Sequence, residues 1–580
     1  MPPHPPATLT PAGVQSLQDL ARRRSAFALG NVAIYVALGL WMASLLSASG
    51  WSLLNLAILA CFLLVAPWSV LGLGNAVLGL WLLHGARDGF LSVAPYAAAG
   101  DSATPLQLKT AIVMTLRNED PARAFTRLRA VQASVEAAGF PDSFDCFILS
   151  DSSDHGVAAL EEAAFADWRR TSSRIFYRRR TDNTGFKAGN LRAFCAAHGS
   201  DYTFLLPLDA DSLMSGETVA RMVRICQAHP RIGILQSLVV GAPSSSAFAR
   251  LFQFGMRHGM RPYSVGSAWW SGDCGQFWGH NALVRIAPFR DHCDLPALKN
   301  GLILSHDQIE AALMRRAGFE VRVLPVETGS YEDNPPDLLE FCRRDQRWCL
   351  GNMQYLQLLQ LPGLLPASRF QLVWAVAMFI GLPAFNILLV LLAAKAAAGA
   401  VAPPGAAAFY WVFLVLLMLP KLAGFADVAL SPGGLARHGG AARFFLGALC
   451  ELVFSFLTSA IAGFGTALFL LMLPFGRTTT WNGQARDAQT LAWGEAALQL
   501  WPATLFGLAL AGLLASGAPA LLPWALPYVA GLVLAVPVTV LSARPGLGAW
   551  LRDAKICAIP EEFDPPEVLR RLAAMEDSPR

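Results

Sequence analysis

The chain has 580 residues, of which 54% are hydrophobic and only 15% are charged. Ordinary soluble domains carry about 25% charged residues, so this composition excludes a wholly soluble protein and indicates a membrane protein. The net charge of +4 gives no strongly basic surface, so we expect no nucleic-acid partner. The ten cysteines show no paired short spacing and lie mostly in a region predicted to be cytoplasmic, which favours reduced thiols.

The first 85 residues predict a tail followed by two transmembrane helices. Residues 1–20 are rich in Pro and Ala and lack an apolar period, which predicts a disordered tail. The stretch 26–85 holds two apolar runs that are long enough to cross a bilayer, and the first is longer than the apolar part of a signal peptide. The arginine triplet at 22–24 places the amino terminus inside, so the chain after His84 is cytoplasmic again.

Residues 100–365 predict a soluble α/β domain, because short apolar runs alternate with helical patterns. Strands are predicted at 110–116, 144–149 and 175–177, with a helix from Pro121 to Gly139 between the first two. A further helix from Lys187 to Gly199 leads into the apolar run 202–208. Such alternation implies a largely parallel sheet covered by helices, which binds ligands at the carboxyl ends of its strands.

Polar side chains converge at those carboxyl ends. They are Thr115, Arg117 and Glu119 after the first strand, Asp151 after the second, and Asp209 and Asp211 after the run 202–208. Two carboxylates one residue apart repel each other unless a cation lies between them and a ligand, and Mg²⁺ shares oxygen ligands with phosphates. Asp-x-Asp alone is also common in helix caps and solvated turns. The convergence of all six side chains predicts a metal and a nucleotide diphosphate.

Five apolar segments follow residue 365, and charge assigns their topology. The segments lie at about 370–394, 409–430, 444–473, 500–516 and 521–541. The connection 396–408 is uncharged and is predicted to be outside, whereas the basic residues that follow the second segment and the tail 544–580 are predicted to be cytoplasmic.

Three apolar segments separate those two cytoplasmic points, so one of them cannot be a simple crossing. Segment 444–473 is too short for two crossings and holds Glu451, which predicts an interfacial or re-entrant helix. Region 369–543 is therefore predicted to contain transmembrane and interfacial helices, with a cytoplasmic loop at 475–487. The whole chain then has six to eight spans.

Four further motifs accompany Asp209-Ala210-Asp211 in a characteristic order. Three of them are residues 184–191, which open one helix, residues 303–307, which read Ile-Leu-Ser-His-Asp, and residues 347–352, which begin with Arg-Trp and end with Gly-Asn. The fourth is Gly279-His280-Asn281. Together these motifs resemble the processive inverting glycosyltransferases of the cellulose-synthase type. They are most similar to the glucans biosynthesis glucosyltransferase H family of Gram-negative bacteria, whose members make osmoregulated periplasmic glucans.

The resemblance covers about residues 20–550 and implies a fold, an activity and a location. The fold class is an α-helical transmembrane protein with an inserted cytoplasmic α/β GT-A glycosyltransferase domain. The activity is polymerisation of UDP-glucose into a β-1,2-glucan backbone in the bacterial inner membrane, with the catalytic domain and both termini cytoplasmic. The implied partners are UDP-glucose, the growing glucan, the lipid bilayer and acyl carrier protein. Another polysaccharide synthase, cellulose-like or hyaluronan-like, and a transporter with a nucleotide-binding domain are the alternatives.

The resemblance also implies roles for individual residues on the nucleotide side. Asp151 and Lys187 become nucleotide contacts, Asp209 a contact to UDP-glucose, Asp211 a ligand of Mg²⁺ or Mn²⁺, and Asp307 the general base. Simpler readings exist for several of them: Asp151 suits an ordinary turn, and Lys187 suits the start of a helix. Ser305, with Gln308 three residues later, has the form of a capping box for a helix that contains Asp307.

The acceptor side and the export path carry a further set of implied residues. Arg347 and Trp348 match the end of the Gln-x-x-Arg-Trp signature, but Arg344 holds the Gln position, which puts detailed transfer of its role in doubt. His280, Trp269, Trp270 and Trp278 are candidates for sugar contacts, with burial as the alternative. The loop at 475–487 occupies the place of a gating loop. Lys421, Asp427 and Glu451 either line a glucan path or lie at helix ends.

Overall fold

The computed structural model describes residues 13–298, 301–479 and 490–577. It begins with α1 (Leu17–Ser47) and α2 (Leu53–His84), two antiparallel apolar helices, followed by the short α3 (Gly89–Val93). Ser16 caps α1 by accepting a hydrogen bond from the amide of Asp19 at 3.1 Å. The first helix therefore starts nine residues before the apolar run.

The disordered tail predicted for residues 1–20 is wrong for its described part, residues 13–20. Gln15 donates to the carbonyl of Ser92 at 2.9 Å and accepts from the guanidinium of Arg322 at 2.6 Å. Residues 1–12 lie outside the described residues. The prediction rested on composition, which carries no information on partners 77 and 307 positions away.

In the residues that the structure describes, ten strands form two sheets. They are β1 (Thr110–Leu116), β2 (Phe144–Ser150), β3 (Ile175–Arg179), β4 (Phe204–Leu208), β5 (Leu213–Met214), β6 (Ile232–Ser237), β7 (Val240–Gly241), β8 (Ala282–Arg285), β9 (Glu320–Leu324) and β10 (Ser330–Glu332). The main sheet has the order β3-β2-β1-β4-β8-β6-β9, and only β8 runs antiparallel to its neighbours. The small sheet has the order β5-β10-β7. The predicted strands 110–116, 144–149 and 175–177 are confirmed.

The domain that contains these sheets, as far as the structure describes it, also has eight helices. They are α4 (Pro121–Ala137), α5 (His155–Arg169), α6 (Phe186–His198), α7 (Gly216–Ala228), α8 (Ala247–Ser271), α9 (Ile286–His292), α10 (Asp307–Arg316) and α11 (Leu338–Met353). Successive residues of β1 face opposite sides: Ile112 and Met114 lie in one apolar core, Ala111 and Val113 in another. The sheet is therefore buried on both faces, as predicted for parallel strands.

Helix α8 joins this domain to the membrane helices. A Cβ added at Gly79 of α2 would lie 1.7 Å from the carbonyl oxygen of Pro262, and one at Gly266 would lie 2.0 Å from that of Asn75. The two backbones therefore touch where neither helix carries a side chain. Residues 247–271 were not predicted to be a helix from the sequence.

The second half of the chain is mainly helical. Its elements are α12 (Pro366–Ala397), α13 (Ala406–Leu430), α14 (Gly434–Arg437), α15 (Ala441–Met472), α16 (Trp493–Gly517), α17 (Leu522–Val533) and α18 (Ala535–Ser542). Among the described residues, six helices of the chain are long and apolar enough to cross a membrane: α1, α2, α12, α13, α15 with the turn after it, and α16.

The apolar segment that departs from a single straight helix is not the one predicted to do so. Residues 444–472 of the predicted segment lie within α15, a continuous helix of 32 residues that is long enough to cross a bilayer. The break lies in the last apolar segment, where α17 and α18 meet at an angle of 59°. Leu534 has lost helical geometry at this junction, with φ −92° and ψ 17°. Phe475 and the following residues to 479 extend from α15, and the remainder of the predicted gating loop, 480–487, lies outside the described residues.

The carboxyl-terminal segment folds back onto the domain through α19 (Pro545–Asp553) and α20 (Glu567–Glu576). Val568 and Leu572 of α20 are buried in the same core as α4. Arg250 donates to Glu562 at 2.6 Å, and Arg257 is paired with Glu561. The tail predicted at 544–580 is thus a structured strap over residues 545–577.

Candidate active site

The carboxyl end of β2 presents Asp151 as a buried ion-pair partner. Arg180 binds both of its oxygens, from Nε at 2.8 Å and from Nη2 at 2.7 Å, and Asn190 of α6 donates to Oδ1 at 2.8 Å. Asp151 is therefore more than an ordinary turn residue. Arg180 also donates to the carbonyl of Phe186 at 3.1 Å, so the pair fixes the start of α6.

The carboxyl end of β1 faces the same helix start. The guanidinium of Arg117 lies 4.6 Å from the ring centre of Phe186, whose φ of +49° turns the chain into α6. Thr115 and Glu119 are half-buried on either side of Arg117. The structure thus brings Arg117, at the end of β1, to the first turn of α6, where the backbone amides of a helix favour an anion.

Lys187, on that first turn, forms an ion pair with Asp209 at the end of β4. Asp211, two residues on, is buried, and its carbonyl accepts from Nη1 of Arg127 at 3.0 Å. Asp333 holds Arg127 through two hydrogen bonds of 3.0 and 2.8 Å. This chain of contacts fixes the backbone that carries both carboxylates.

Gly279 lies where Lys187, the predicted nucleotide contact, and Asp307, the predicted base, approach each other. A Cβ added at this residue would lie 3.5 Å from Cβ of Asp307, 3.8 Å from Cε1 of His306 and 3.9 Å from Nζ of Lys187. Its φ of +79° is one that only glycine adopts at low cost. The missing side chain leaves a gap bordered by the predicted base and the predicted nucleotide contact, which are far apart in sequence.

His280 links this gap to the Asp209 loop. Its Nδ1 lies 3.4 Å from the hydroxyl of Ser212, which accepts from the amide of Asp209 at 3.1 Å. Its Nε2 lies 3.5 Å from the carboxylate of Glu332 on the small sheet. The structure therefore brings His280 to the group, as expected, through contacts with protein side chains.

Asp307 begins α10 and is half-buried beside His306. Burial raises the pKa of the Asp307 carboxyl above its usual range, and Glu310 adds to the rise, whereas His306 opposes it. Burial disfavours a charged His306, but the carboxylates of Glu310 and Asp307 outweigh it and raise the pKa of the imidazole. A carboxylate with a raised pKa holds a proton more strongly and is the better base.

Ser305 does not cap this helix, so that part of the prediction was wrong. Helix α10 starts after His306, whose side chain forms no capping hydrogen bond. The carbonyl of Ser305 accepts from the hydroxyl of Tyr355 at 2.9 Å, while Gln308 donates to the carbonyl of Phe277 at 3.3 Å. Both members of the expected capping box have partners on other elements instead.

Helix α11 packs directly against the turn before Asp307. A Cβ added at Gly351 would lie 2.2 Å from Oγ of Ser305, so the helix approaches this turn without a side chain in between. Arg347 is buried one helical turn earlier on the same face. Trp348 is 44% exposed, and the guanidinium of Arg344 lies 4.7 Å from its ring centre. The Arg-Trp motif thus borders the site.

Two predicted sugar contacts pack elsewhere. Trp270 is buried, stacks on Phe27 of α1 at 5.1 Å, and donates from Nε1 to Asn75 at 2.9 Å. Trp269 lies under the guanidinium of Arg23 at 5.1 Å. Both residues follow the alternative of burial against the membrane helices, because they lie on the end of α8 that contacts α1 and α2. Trp278 is half-buried next to Gly279, and its amide donates to Gln236 at 2.9 Å.

The three ionisable residues proposed for a glucan path are paired with each other or with residues of α2 and α8. Lys421 is bound to Glu451, which is buried. Asp427 is buried and accepts from Arg261 at 2.8 Å and contacts His84 at 2.7 Å. These contacts explain their presence between helices without a glucan path.

Four residues with roles in this geometry were missed in the sequence: Arg180, Asn190, Asp333 and Glu310. Arg180 ends the triplet Arg178-Arg179-Arg180, a signal directly after a predicted strand. Glu310 is four residues after His306, the spacing of neighbours on a helix. Asn190 lies in the motif 184–191 but was given no role of its own, and Asp333 has no local signal, because its partner Arg127 lies 206 residues away.

Comparisons with known proteins assign the chain to a family of glycosyltransferases. Residues 111–293 match the family described as Glycosyl transferase family 2, and residues 204–422 match Glycosyl transferase family group 2. A glucans biosynthesis glucosyltransferase H from Xanthomonas campestris pv. campestris (strain 8004) is 33% identical over 589 residues, which cover 96% of this chain and 90% of the relative. The chain belongs to the glucans biosynthesis glucosyltransferase H family. This assignment confirms the predicted fold class, in which a GT-A glycosyltransferase domain is inserted between membrane helices.

Other members of the glucosyltransferase H family are longer. The protein of that name from Pseudomonas putida (strain KT2440) is 35% identical over 543 residues, 89% of this chain but only 63% of the relative. The chain thus spans less than two thirds of the length of such relatives. Among solved structures, mannosyltransferase PcManGT from Pyrobaculum calidifontis in complex with GDP-Man and Mn²⁺ is 14% identical, covering 61% of this chain and 98% of that chain with a TM-score of 0.36.

Proposed function

We propose that this protein polymerises glucose from UDP-glucose into a β-1,2-glucan and passes the polymer across the bacterial inner membrane. The observation that carries the proposal is the gap at Gly279, where Asp307 approaches Lys187 and, through it, Asp209. A base and a nucleotide-binding cation on opposite sides of one gap suit transfer of a sugar from a nucleotide to a hydroxyl. The linkage and the donor are proposed from the family.

The reaction is a single displacement with inversion at the anomeric carbon. The acceptor hydroxyl oxygen forms a bond to C1 of glucose while the bond from C1 to the UDP oxygen breaks. UDP leaves with the bonding electron pair, and the hydroxyl proton moves to the carboxylate of Asp307. General base catalysis of this kind contributes about 10² to 10⁴ in rate.

The donor side holds UDP-glucose through groups that are already oriented. Asp151, fixed by Arg180 and Asn190, is placed to bind the nucleoside, together with Thr115, Arg117 and Glu119. Lys187, at the first turn of α6, is placed to bind the diphosphate, which requires it to exchange Asp209 for a phosphate oxygen. Arg344 and Arg347 on α11 would add positive charge that stabilises the departing UDP.

A divalent cation fits the carboxylate of Asp211. Among residues 13–298, 301–479 and 490–577, no three His, Cys, Asp or Glu side chains are grouped so as to enclose a metal. Mg²⁺ is commonly held by one or two carboxylates and takes its other ligands from phosphates and water, so a single buried carboxylate next to a diphosphate site suits Mg²⁺ or Mn²⁺. The ion would neutralise negative charge on the diphosphate as UDP leaves.

The acceptor is the non-reducing end of the growing glucan, with Trp348 and His280 as its proposed contacts. An exposed indole offers a flat apolar face on which a sugar ring stacks. The membrane helices behind α8 and α11 would receive the polymer. The catalytic domain and both termini are proposed to be cytoplasmic, because UDP-glucose is made there.

The experiment that tests the proposal uses full-length protein in liposomes with UDP-glucose and Mg²⁺. Released UDP is measured, and the linkage of any polymer is read by NMR. A β-1,2-linked polymer is expected. A different linkage or donor would place the protein with the cellulose-like or hyaluronan-like synthases. Nucleotide binding without UDP release, even after addition of acyl carrier protein, would support the transporter alternative and refute the proposal.

A further inference from the structure

His306 lies between two carboxylates and next to the gap at Gly279. Its Nδ1 is 2.9 Å from the carboxylate of Glu310, which is buried, and Asp307 is its chain neighbour. Its Cε1 lies 3.8 Å from the position of a Cβ added at Gly279, close to that of Asp307 at 3.5 Å. The imidazole therefore borders the same space as the proposed base. The proposed reaction assigns no role to this imidazole.

Glu310 determines the proton arrangement on His306. A carboxylate accepts hydrogen bonds, so Nδ1 of His306 carries a proton and donates to Glu310. Two carboxylates then favour a second proton on Nε2, which gives the ring a positive charge directly beside Asp307. The opposing group is Lys187 of α6, a cation that is itself paired with Asp209. On the other side, Tyr355 follows α11 and has its hydroxyl bound to the carbonyl of Ser305.

We propose that His306, held by Glu310, is a positioning residue that keeps Asp307 ionised for acceptance of the acceptor proton. This inference rests on the proposed function. Burial alone would raise the pKa of Asp307 further and so lower the fraction of the carboxylate that can accept a proton. A positive imidazole at the adjacent position opposes this effect of burial, and the hydrogen bond to Glu310 holds the ring in place.

The proposal predicts a change in the pH profile of turnover. Activity rises with pH as Asp307 loses its proton, and a nearby positive charge lowers the pH at which this occurs. Removal of that charge in His306→Asn should move the acid limb of kcat/KM upwards by about one pH unit. The loss is then about tenfold below the limb and small above it. His306→Lys keeps a positive charge and should leave the limb near its wild-type position.

A matched control is His155→Asn, which removes an exposed imidazole at the start of α5 and should leave the profile unchanged. An equal loss of turnover by His306→Asn at every pH, with the limb unmoved, would overturn the proposal and indicate a structural role. A limb that shifts as far in His306→Lys as in His306→Asn would overturn it as well, because charge would then be irrelevant.

The pairing with Glu310 can be measured without turnover. Diethyl pyrocarbonate modifies unprotonated imidazole, and peptide mass spectrometry separates His306 from the other nine histidines of the ten in the chain. The midpoint of His306 modification should lie about one pH unit higher in the wild-type protein than in Glu310→Gln. Equal midpoints would overturn the pairing. Wild-type protein that turns over no sugar nucleotide would overturn the proposed function and the role of His306 with it, whereas the midpoints report on the pair alone.

Discussion

The donor side and the acceptor side of the candidate active site differ in how their charged groups are paired. On the donor side, Asp151 has three hydrogen bonds from Arg180 and Asn190, and Asp209 is bound to Lys187. On the acceptor side, burial raises the pKa of Asp307, and Trp348 is largely exposed. The charged groups of the donor side are thus already paired with one another, whereas the acceptor side keeps an exposed indole and a carboxyl with a raised pKa, as the proposed transfer to a growing polymer requires.

Asp307→Asn gives the sharpest test of this difference. The amide keeps the shape of the acceptor side but cannot take a proton, so turnover should fall by about 10³-fold while binding of UDP is retained. UDP release and isothermal titration measure the two effects. Asp291→Asn, at an exposed carboxylate, is the matched control. Turnover near the wild-type rate in Asp307→Asn would remove this residue as the base.

Asp211→Asn should affect the donor side next most strongly. Removal of the Asp211 carboxylate should weaken binding of the metal and of the diphosphate together, with an expected loss of about 100-fold in kcat/KM. A Mg²⁺ titration of UDP binding measures it, with exposed Asp201→Asn as the control. If UDP binding kept the same Mg²⁺ dependence, the metal would have another ligand.

Arg180→Lys tests whether the donor side depends on its two-point contact. Lysine keeps the charge but binds only one oxygen of Asp151, and loss of one charge-assisted hydrogen bond should raise KM for UDP-glucose about tenfold with little change in kcat. Initial rates over a range of UDP-glucose concentrations separate the two constants. Arg170→Lys changes an exposed arginine and should be neutral. An unchanged KM would mean that Asp151 acts without Arg180.

Trp348→Ala should have the smallest effect and act on the acceptor side alone. Loss of one stacking surface costs about 1 kcal/mol, or about fivefold in the acceptor-dependent rate, and should shorten the polymer without altering UDP affinity. Polymer length is read by size-exclusion chromatography. Trp411→Ala removes an indole of similar exposure from a membrane helix and serves as the control. A fall in UDP affinity would place Trp348 on the donor side.

The sequence predicted those parts of the structure that depend on local pattern. The apolar run 110–116 became β1 with the same bounds, and Pro121 starts α4 as a proline at the first turn should. Asp209 could be placed at the site because it follows a predicted strand of the sheet, whereas Lys187, His280 and Asp307 were assigned to the same site through the resemblance to the family. Their chemical roles stay predictions.

The remainder depends on partners distant in sequence, which composition does not reveal. Ser305 fits a capping pattern, but Tyr355 and Gly351 of the α11 region hold it instead. Trp269 and Trp270 have the composition of a sugar site, yet α1 and α2 cover them. The junction between α17 and α18 reads Val-Leu-Ala and carries no charge. The prediction of topology from charged residues therefore assigned the irregular segment to the residues of α15.

The stability of the catalytic domain depends on the strap, and above all on the last twenty or so described residues of the strap. Arg250 and Arg257 are 1% and 6% exposed in their side chains; Glu562 from the strap pairs with Arg250, and Glu561 from the strap binds Arg257 together with Glu327 of the domain. A buried arginine that loses its partner costs about 3 to 5 kcal/mol, a large part of the stability of a domain. A chain cut before Ile556 would therefore fail in folding rather than in catalysis, and a protease that removed the strap would inactivate the enzyme without touching its site.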